Sequence, residues 1–258
     1  MAEKDWTDTD IQWLKDNEIV RIFLASFNTM SAFALEANFL NNARLAGVKY
    51  IVRISTTPMN VSATTEVYYG RTHWAIENLL SQPEFKSLQW TSLQPQVFTN
   101  SYFTTCVSWL QNCKKTGKQE PLGLMADEST PNAVLDPSDV GELGAHLLAQ
   151  DDPSKHSGAR YVINGPENIT GKQMVEILEQ HIGEKVQKVT YNDMSFIDGL
   201  RQSGDMNEQA VRSIALAPVP TWEGRGSVEA MPTSEEVLEL APPRRGASRM
   251  LREMLNEV

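Results

Sequence analysis

The sequence predicts an α/β chain: a parallel sheet flanked by helices, with a small, mostly helical C-terminal lobe. Three observations carry this. Short apolar runs rich in β-formers recur along the first half of the chain. Stretches of helical periodicity separate them, so that strand, helix, strand, helix, strand follow at the spacing of parallel βαβ units with right-handed crossovers. The third observation is an absence. A phosphate-gripping turn needs glycines spaced G-x-G-x-x-G between an apolar strand and a helix, and Met1 to Asn17 contain no glycine.

The first element is Glu18 to Ser26, EIVRIFLAS, a short apolar run that reads as a buried strand. Ser31 to Ala46 carries helical periodicity, with Phe33, Ala37, Leu40 and Arg44/Leu45 near one face, and Gly47 ends it as a helix C-cap. Val48 to Ser55 is a second strand. A loop through Pro58 and Asn60 leads to a helix from about Val67 to Leu80. Ser87 to Leu93 is a third strand, stopped by Pro95, and Phe98 to Lys115 is a further helix with Gly117 near its end. Asn132 to Leu135 reads as a short strand. Ser138 to Gln150 reads as a helix with serine in the N-cap position and an aspartate in its first turn. Arg160 to Ile163 is another strand, and Thr170 caps a helix running to His181, with Gly183 after it. Residues 190 to 258 hold two or more helices around a Pro/Gly-rich stretch, Ala217 to Gly226. The division expected is a core over residues 1–150 and a C-terminal substrate-side lobe over 151–258, packed as one unit with it.

Composition narrows the function classes. The 258 residues are 41% hydrophobic, enough for one large domain with a smaller lobe. The net charge is −10, which argues against nucleic acid and anionic membranes as partners. The only basic cluster, Arg244, Arg245, Arg249 and Arg252, is short, lies among acidic residues and reads as a solvated helix face. No apolar run approaches the roughly 20 residues of a membrane span. The start, Met1-Ala-Glu-Lys-Asp, lacks the apolar core of a signal peptide. Cys106 and Cys113, if they share one helix, stand about 10 Å apart along its axis, beyond disulfide reach. They read as reduced thiols of a cytoplasmic protein. His73, His146, His156 and His181 show no metal-ligand spacing, so no metal is expected.

Five segments, in order, resemble one family. They are GVKYIVRIS at Gly47 to Ser55, YYGRTHWAIENLL at Tyr68 to Leu80, WTSLQPQVFTNSY at Trp90 to Tyr102, LDPSDVGELGAHLL at Leu135 to Leu148, and YVINGPENITGKQMVEIL at Tyr161 to Leu178. The chain is similar to NmrA-like proteins, a branch of the atypical short-chain dehydrogenase/reductases, over roughly Glu18 to Leu240. The resemblance implies a truncated Rossmann-like sheet. In the family, the strand matching Ile19 to Ala25 is the fourth of the sheet, and the glycine turn precedes it. Roughly 70 family residues, the extra βαβαβ half, have no counterpart here, as in a natively truncated protein or a fragment. The expectation is therefore that no cofactor is bound, with NAD(P) as the alternative.

In that strand order, losing the first strand leaves Ile19 to Ala25 as an open apolar edge, which invites pairing with another chain. Two covers are expected to compete. One is the N-terminal segment around Trp6, Ile11, Trp13 and Leu14. The other is the same edge of a second subunit, giving a two-fold homodimer with a continuous sheet. Arg21 alone guarding the edge is the bland alternative.

The chemistry-bearing pattern sits on the Val67–Leu80 helix. Tyr69 and His73 are four apart and share a face. They resemble the Y-x-x-x-K pair of classical short-chain dehydrogenases with histidine in place of lysine, and Ser55 and Thr56 lie in the neighbourhood of the family's serine. Strand C-termini line the ligand crevice of doubly wound sheets. A phenol has a pKa of about 10 and needs a nearby cation to ionise near neutrality; a neutral histidine helps it less than lysine but can itself be acid or base. The competing reading of Tyr69 and His73 is packing and hydrogen bonding on an amphipathic helix. Asn28, Gln94, Phe98 and Asn100 are the substrate-side candidates, with Asn28 equally a turn residue. The expected function is a cofactor-independent acid–base enzyme, of isomerase, cyclase or dehydratase type, on a hydrophobic oxygenated small molecule of specialised, by resemblance fungal, metabolism. His73 would be acid or base, Tyr69 proton donor, and Ser55 or Thr56 would orient a carbonyl. The alternatives are an NAD(P)H-dependent NmrA-like reductase and a non-enzymatic regulatory or interaction protein.

Overall fold

The structure, a computed structural model, describes residues 4–204 and 206–258. A four-stranded sheet has the order β1-β2-β3-β5, built from β1 (Arg21–Leu24), β2 (Tyr50–Ile54), β3 (Gln89–Pro95) and β5 (Ala159–Ile163). β1 pairs β2 in parallel with Arg21 opposite Tyr50, and β2 pairs β3 in parallel with Tyr50 opposite Gln89. β4 (Leu122–Gly123) and β6 (Val189–Thr190) form a second, two-stranded parallel sheet. The helices α1 (Ile11–Asp16), α2 (Ala32–Ala46), α3 (Tyr68–Leu80), α4 (Thr99–Thr116), α5 (Pro137–Leu148) and α6 (Gly171–Ile182) are interspersed with these strands along the chain in the order that the alternating apolar pattern predicts. Short helices follow: α7 (Phe196–Ser203), α8 (Glu208–Ile214), α9 (Val219–Trp222) and α10 (Glu235–Leu240), with α11 (Ala247–Asn256) closing the chain. Among the described residues no helix is long and apolar enough to cross a membrane.

Two compact units make up the chain, Met1–Gln94 with Gly141–Tyr161, and Pro95–Val140 with Val162–Val258. In the first, Tyr50, Ile51 and Val52 of β2 are completely buried, so the strand reads as a continuous apolar run rather than an alternating one. Leu40 and Ala43 of α2 and Ile76 and Leu80 of α3 pack with Ile51 and Leu24 as its core. Gly47 closes α2 with φ of 92°, a left-handed turn that spares a side chain the Cβ clash. In the second unit, Phe103 and Leu110 of α4, Met174 and Leu178 of α6, and Leu251 and Leu255 of α11 share a core. Thr170 and Gln173 form a reciprocal capping box that starts α6.

Differences from the sequence reading are local and have local causes. α5 starts at Pro137, and its cap is Asp136, whose carboxylate accepts from the Ser138 amide at 2.8 Å; Ser138 is inside the helix. Proline fits the first helical position because its missing N–H would have no partner there. Asn132 to Leu135 makes two isolated bridges, to Ile169 and Phe98, rather than a strand. Arg244, Arg245, Arg249 and Arg252 are all exposed, but only the last two lie on a helix. Cys106 and Cys113 both sit on α4 as free thiols. The described part of the N-terminal segment adds no strand: Trp6 packs edge-on to Phe39 of α2 and to Phe27, each at 5.7 Å, and Asn42 donates to the Thr9 carbonyl. Among the described strands β1 has one neighbour, β2.

Candidate active site

One residue in β2 breaks its apolar run. Arg53 is 0% exposed, and a charge so placed must be paired and hydrogen-bonded. Its guanidinium meets three elements. Nε donates to the Glu36 carboxylate of α2 at 2.6 Å, one terminal nitrogen donates to the Ser92 hydroxyl of β3 at 3.1 Å, and the other lies 2.9 Å from Nδ1 of His73 on α3. Glu77, one turn beyond His73, is the second buried carboxylate. It accepts from Ser92 at 2.7 Å, from Gln94 at 3.1 Å and from Arg160 Nε at 2.9 Å. Two arginines thus face two glutamates, and the charges balance.

This network fixes the state of His73. Arginine only donates, so Nδ1 must accept, and the ring proton sits on Nε2, which donates to the Asn28 side-chain oxygen at 3.1 Å. Burial, and then the Arg53 charge, push the His73 pKa down to about 3. Both nitrogens are engaged inside the protein and the ring is neutral. Asn28, exposed in the loop after β1, also accepts through its backbone carbonyl from the Tyr68 hydroxyl.

Tyr69 is different. Its ring stands edge-on to Tyr68, burial raises its pKa to about 12, and no hydrogen bond to its hydroxyl is formed by the described residues. It is a neutral phenol with a free proton to give. Gly70 beside it lets the loop after β2 approach closely: a Cβ there would stand 2.0 Å from the Asn60 carbonyl oxygen. Ser55 is 6% exposed at the C-terminal end of β2, and its hydroxyl has no partner. A buried hydroxyl left unpaired costs about 1–3 kcal/mol, so its retention asks for a reason.

Ser55 and Tyr69 stand at one level. Arg53 and Ser55 point to the same side of β2 and are separated by about 6.6 Å; Tyr69 and His73 share a face of α3 and are separated by about 6 Å. In a right-handed β2–α3–β3 crossover the helix runs antiparallel to its strands. The Arg53–His73 contact therefore sets Ser55 opposite Tyr69. Thr56 follows Ser55 and is half-buried. Gln94 is held on Glu77. Phe98 and Asn100 belong to the other compact unit, where Phe98 precedes α4 and Asn100 accepts from the Ser101 amide at 2.9 Å. The residues that sequence reasoning missed are Arg53, Glu36, Glu77, Ser92 and Arg160. Their signal was present: an arginine inside an apolar strand, and glutamates on the apolar faces of two helices.

No protein-family model matches the sequence, and no curated protein sequence matches it. Solved structures do. An NADPH-dependent quinone oxidoreductase from Escherichia coli, in complex with NADPH, shares 18% identity, with a TM-score of 0.71 over 98% of this chain and 83% of its own. A triphenylmethane reductase from Citrobacter sp., complexed with NADP(H), shares 15% identity, with a TM-score of 0.70 over 98% and 82%. NmrA, described as a negative transcriptional regulator, shares 15%, with a TM-score of 0.65 over 99% and 80%. The chain has the fold of NmrA-like atypical short-chain dehydrogenase/reductases, an α/β Rossmann-like fold.

These neighbours correct the expectation that no cofactor is involved, since two of them carry NADPH or NADP(H) on this fold. Nor do they support a cofactor-independent isomerase. Tested on its own residues, the site fits the reacting end of a nicotinamide: Ser55 and Tyr69 offer two unpartnered hydroxyls beside a strand end. The segments 25–31, 55–67 and 96–98, which lead from β1, β2 and β3 into helices, contain no glycine.

His73 also makes folding pH-dependent. Its folded pKa, about 3, lies below the ordinary histidine value of 6.5, so the unfolded chain binds the extra proton first. Its neutral state stabilises the fold fully above pH 6.5, and this is lost as pH falls toward 3, by at most about 1.4 kcal/mol per pH unit. Urea midpoints measured at pH 7 and pH 5 should differ, and the difference should shrink in a His73→Gln variant. An unchanged slope in that variant would remove His73 as the cause.

Proposed function

We propose that this chain is an NAD(P)H-dependent reductase of the NmrA-like type, acting on a hydrophobic, oxygenated small molecule. The observation that carries the reading is the pair of unpartnered hydroxyls, Tyr69 on α3 and Ser55 at the end of β2, which the Arg53–His73 contact and regular strand and helix rises put near one level. The nicotinamide, when bound, supplies a hydride to the substrate carbonyl carbon. Ser55 donates a hydrogen bond to the carbonyl oxygen and orients it. Tyr69 gives its proton to that oxygen as negative charge develops, and solvent returns a proton to the phenolate. An alkoxide is a stronger base than a phenolate, so the transfer is downhill even for a phenol with its pKa raised to about 12. His73 and Arg53 lie behind the tyrosine and hold α3 against β2.

The test is titration of the purified chain with NADPH, read by nucleotide fluorescence and by thermal shift, followed by quinone and aromatic-carbonyl turnover at 340 nm. Saturable binding with turnover is expected. Absence of any saturable NADPH binding sinks the reading, and binding without turnover of any carbonyl or quinone would make the chain a nucleotide-binding regulator instead.

A further inference from the structure

Among the described strands β1 is an edge strand, and its free side is equipped for pairing. In the parallel register with β2, the Val20 carbonyl accepts from the Lys49 amide at 2.9 Å. Backbone groups alternate along a strand, so those of Ile22 and Leu24 also face β2. The N–H and C=O of Arg21 and Phe23 therefore face away from the sheet. Such a row is a template for another strand.

Exposed apolar side chains lie on this strand and in the segment that follows it, the loop to α2 and the first turn of α2. Val20 is 55% exposed, Phe27 51% and Met30 53%, and Phe23 and Phe33 are also exposed. Five of the ten large exposed hydrophobics of the described residues thus fall within residues 20–33. Gly144 of α5 brings the Phe23 ring to the strand's flank, where a Cβ would come within 2.3 Å of it. Arg21 is pinned by the carbonyls of Leu148 and Gln150 at 2.5 and 2.6 Å, so its stem is held flat along the same flank.

We propose that this edge pairs antiparallel with the same edge of a second copy of the chain, about a two-fold axis through Ile22. The register follows from the free groups. Arg21 and Phe23 must exchange both hydrogen bonds with Phe23 and Arg21 of the second copy, which makes four bonds and places the two Ile22 residues opposite each other as a non-hydrogen-bonded pair. On the α5 flank, each Arg21 stem then lies beside the Phe23 ring of the other copy, its methylenes against the ring. Val20 and Phe23, the exposed apolar residues of the strand and its ladder, come under the second copy in this register.

The experiment is light scattering on the full chain at tens of micromolar, with two variants. Wild type is expected to run as a dimer. Phe23→Pro removes one outward N–H without touching the β1–β2 ladder and is expected to run as a folded monomer. Ile22→Cys is expected to form a disulfide-linked dimer under mild oxidation, because Cα atoms of a non-hydrogen-bonded pair lie about 4.5 Å apart; wild type, with Cys106 and Cys113, is the control. If Phe23→Pro fails to fold, the cross-link decides. A monomeric wild type, or a dimer that Ile22→Cys does not cross-link beyond wild type, overturns the proposal.

Discussion

Replacing Arg53 with methionine is expected to lower the unfolding free energy by about 3–5 kcal/mol, a large share of the about 5–15 kcal/mol that folded proteins hold in reserve. The reason is asymmetric. Arg53 is completely buried, and its removal takes the only cation within 4 Å of Glu36 among the described residues. Glu36 would then be a buried carboxylate held only by the Ser26 hydroxyl at 2.9 Å. His73 would lose the donor at Nδ1, and Ser92 the one at 3.1 Å. Arg53→Lys should recover little, since an ammonium cannot reach three partners in the planar fork that Arg53 uses. The double variant Arg53→Met with Glu36→Leu should regain much of the loss, because removing both charges leaves no uncompensated ion. Urea unfolding of the three variants measures this. A single Arg53→Met variant within about 1 kcal/mol of wild type would show that water or a bound proton already compensates Glu36.

The sheet was legible because its central strands, β2 and β3, are buried on both faces. Burial on two faces produces runs such as Tyr50-Ile51-Val52, which no surface helix would tolerate. Gly47, Gly117 and Gly183 marked helix ends for a similarly direct reason: all three have positive φ. The start of α5 was harder, since Asp136 and Ser138 are both good caps and only Pro137 between them decides. The candidate site was half legible. Spacing alone put Tyr69 and His73 on one face. Spacing could not say that His73 would be locked between Arg53 and Asn28 while Tyr69 kept a free hydroxyl, because that depends on an arginine on another element. Gln94 shows the same limit. The family resemblance suggested a substrate-side place for it, and the sequence could not show that its amide donates to Glu77. The absent glycine turn was read from the sequence as absence of a cofactor. Absence of one grip is a weaker fact than absence of the ligand, and structural neighbours that carry NADPH and NADP(H) expose the gap.

Tyr69→Phe is expected to cut carbonyl reduction by about 10²–10⁴-fold, the usual loss when a positioned general acid is removed, and to leave stability unchanged. The two halves of that statement come from one observation. The Tyr69 hydroxyl makes no hydrogen bond within the protein, so deleting it breaks none and opens no buried unpaired group. A purely structural tyrosine would behave the other way, losing stability through a lost partner while leaving turnover per folded molecule intact. Ser55→Ala supplies the matched control. Its hydroxyl is buried without a partner, so the variant should be as stable as wild type or slightly more so, with a smaller loss of turnover and a raised KM. The pH profile separates the roles further. With burial raising its pKa to about 12, Tyr69 stays protonated through the alkaline range, so kcat should show no fall between pH 7 and pH 10. Loss of turnover with an apparent pKa near 7 would point to a titrating histidine instead, and His73, held neutral down to about pH 3, could not be that group. Turnover in Tyr69→Phe within threefold of wild type would remove this phenol as the proton donor.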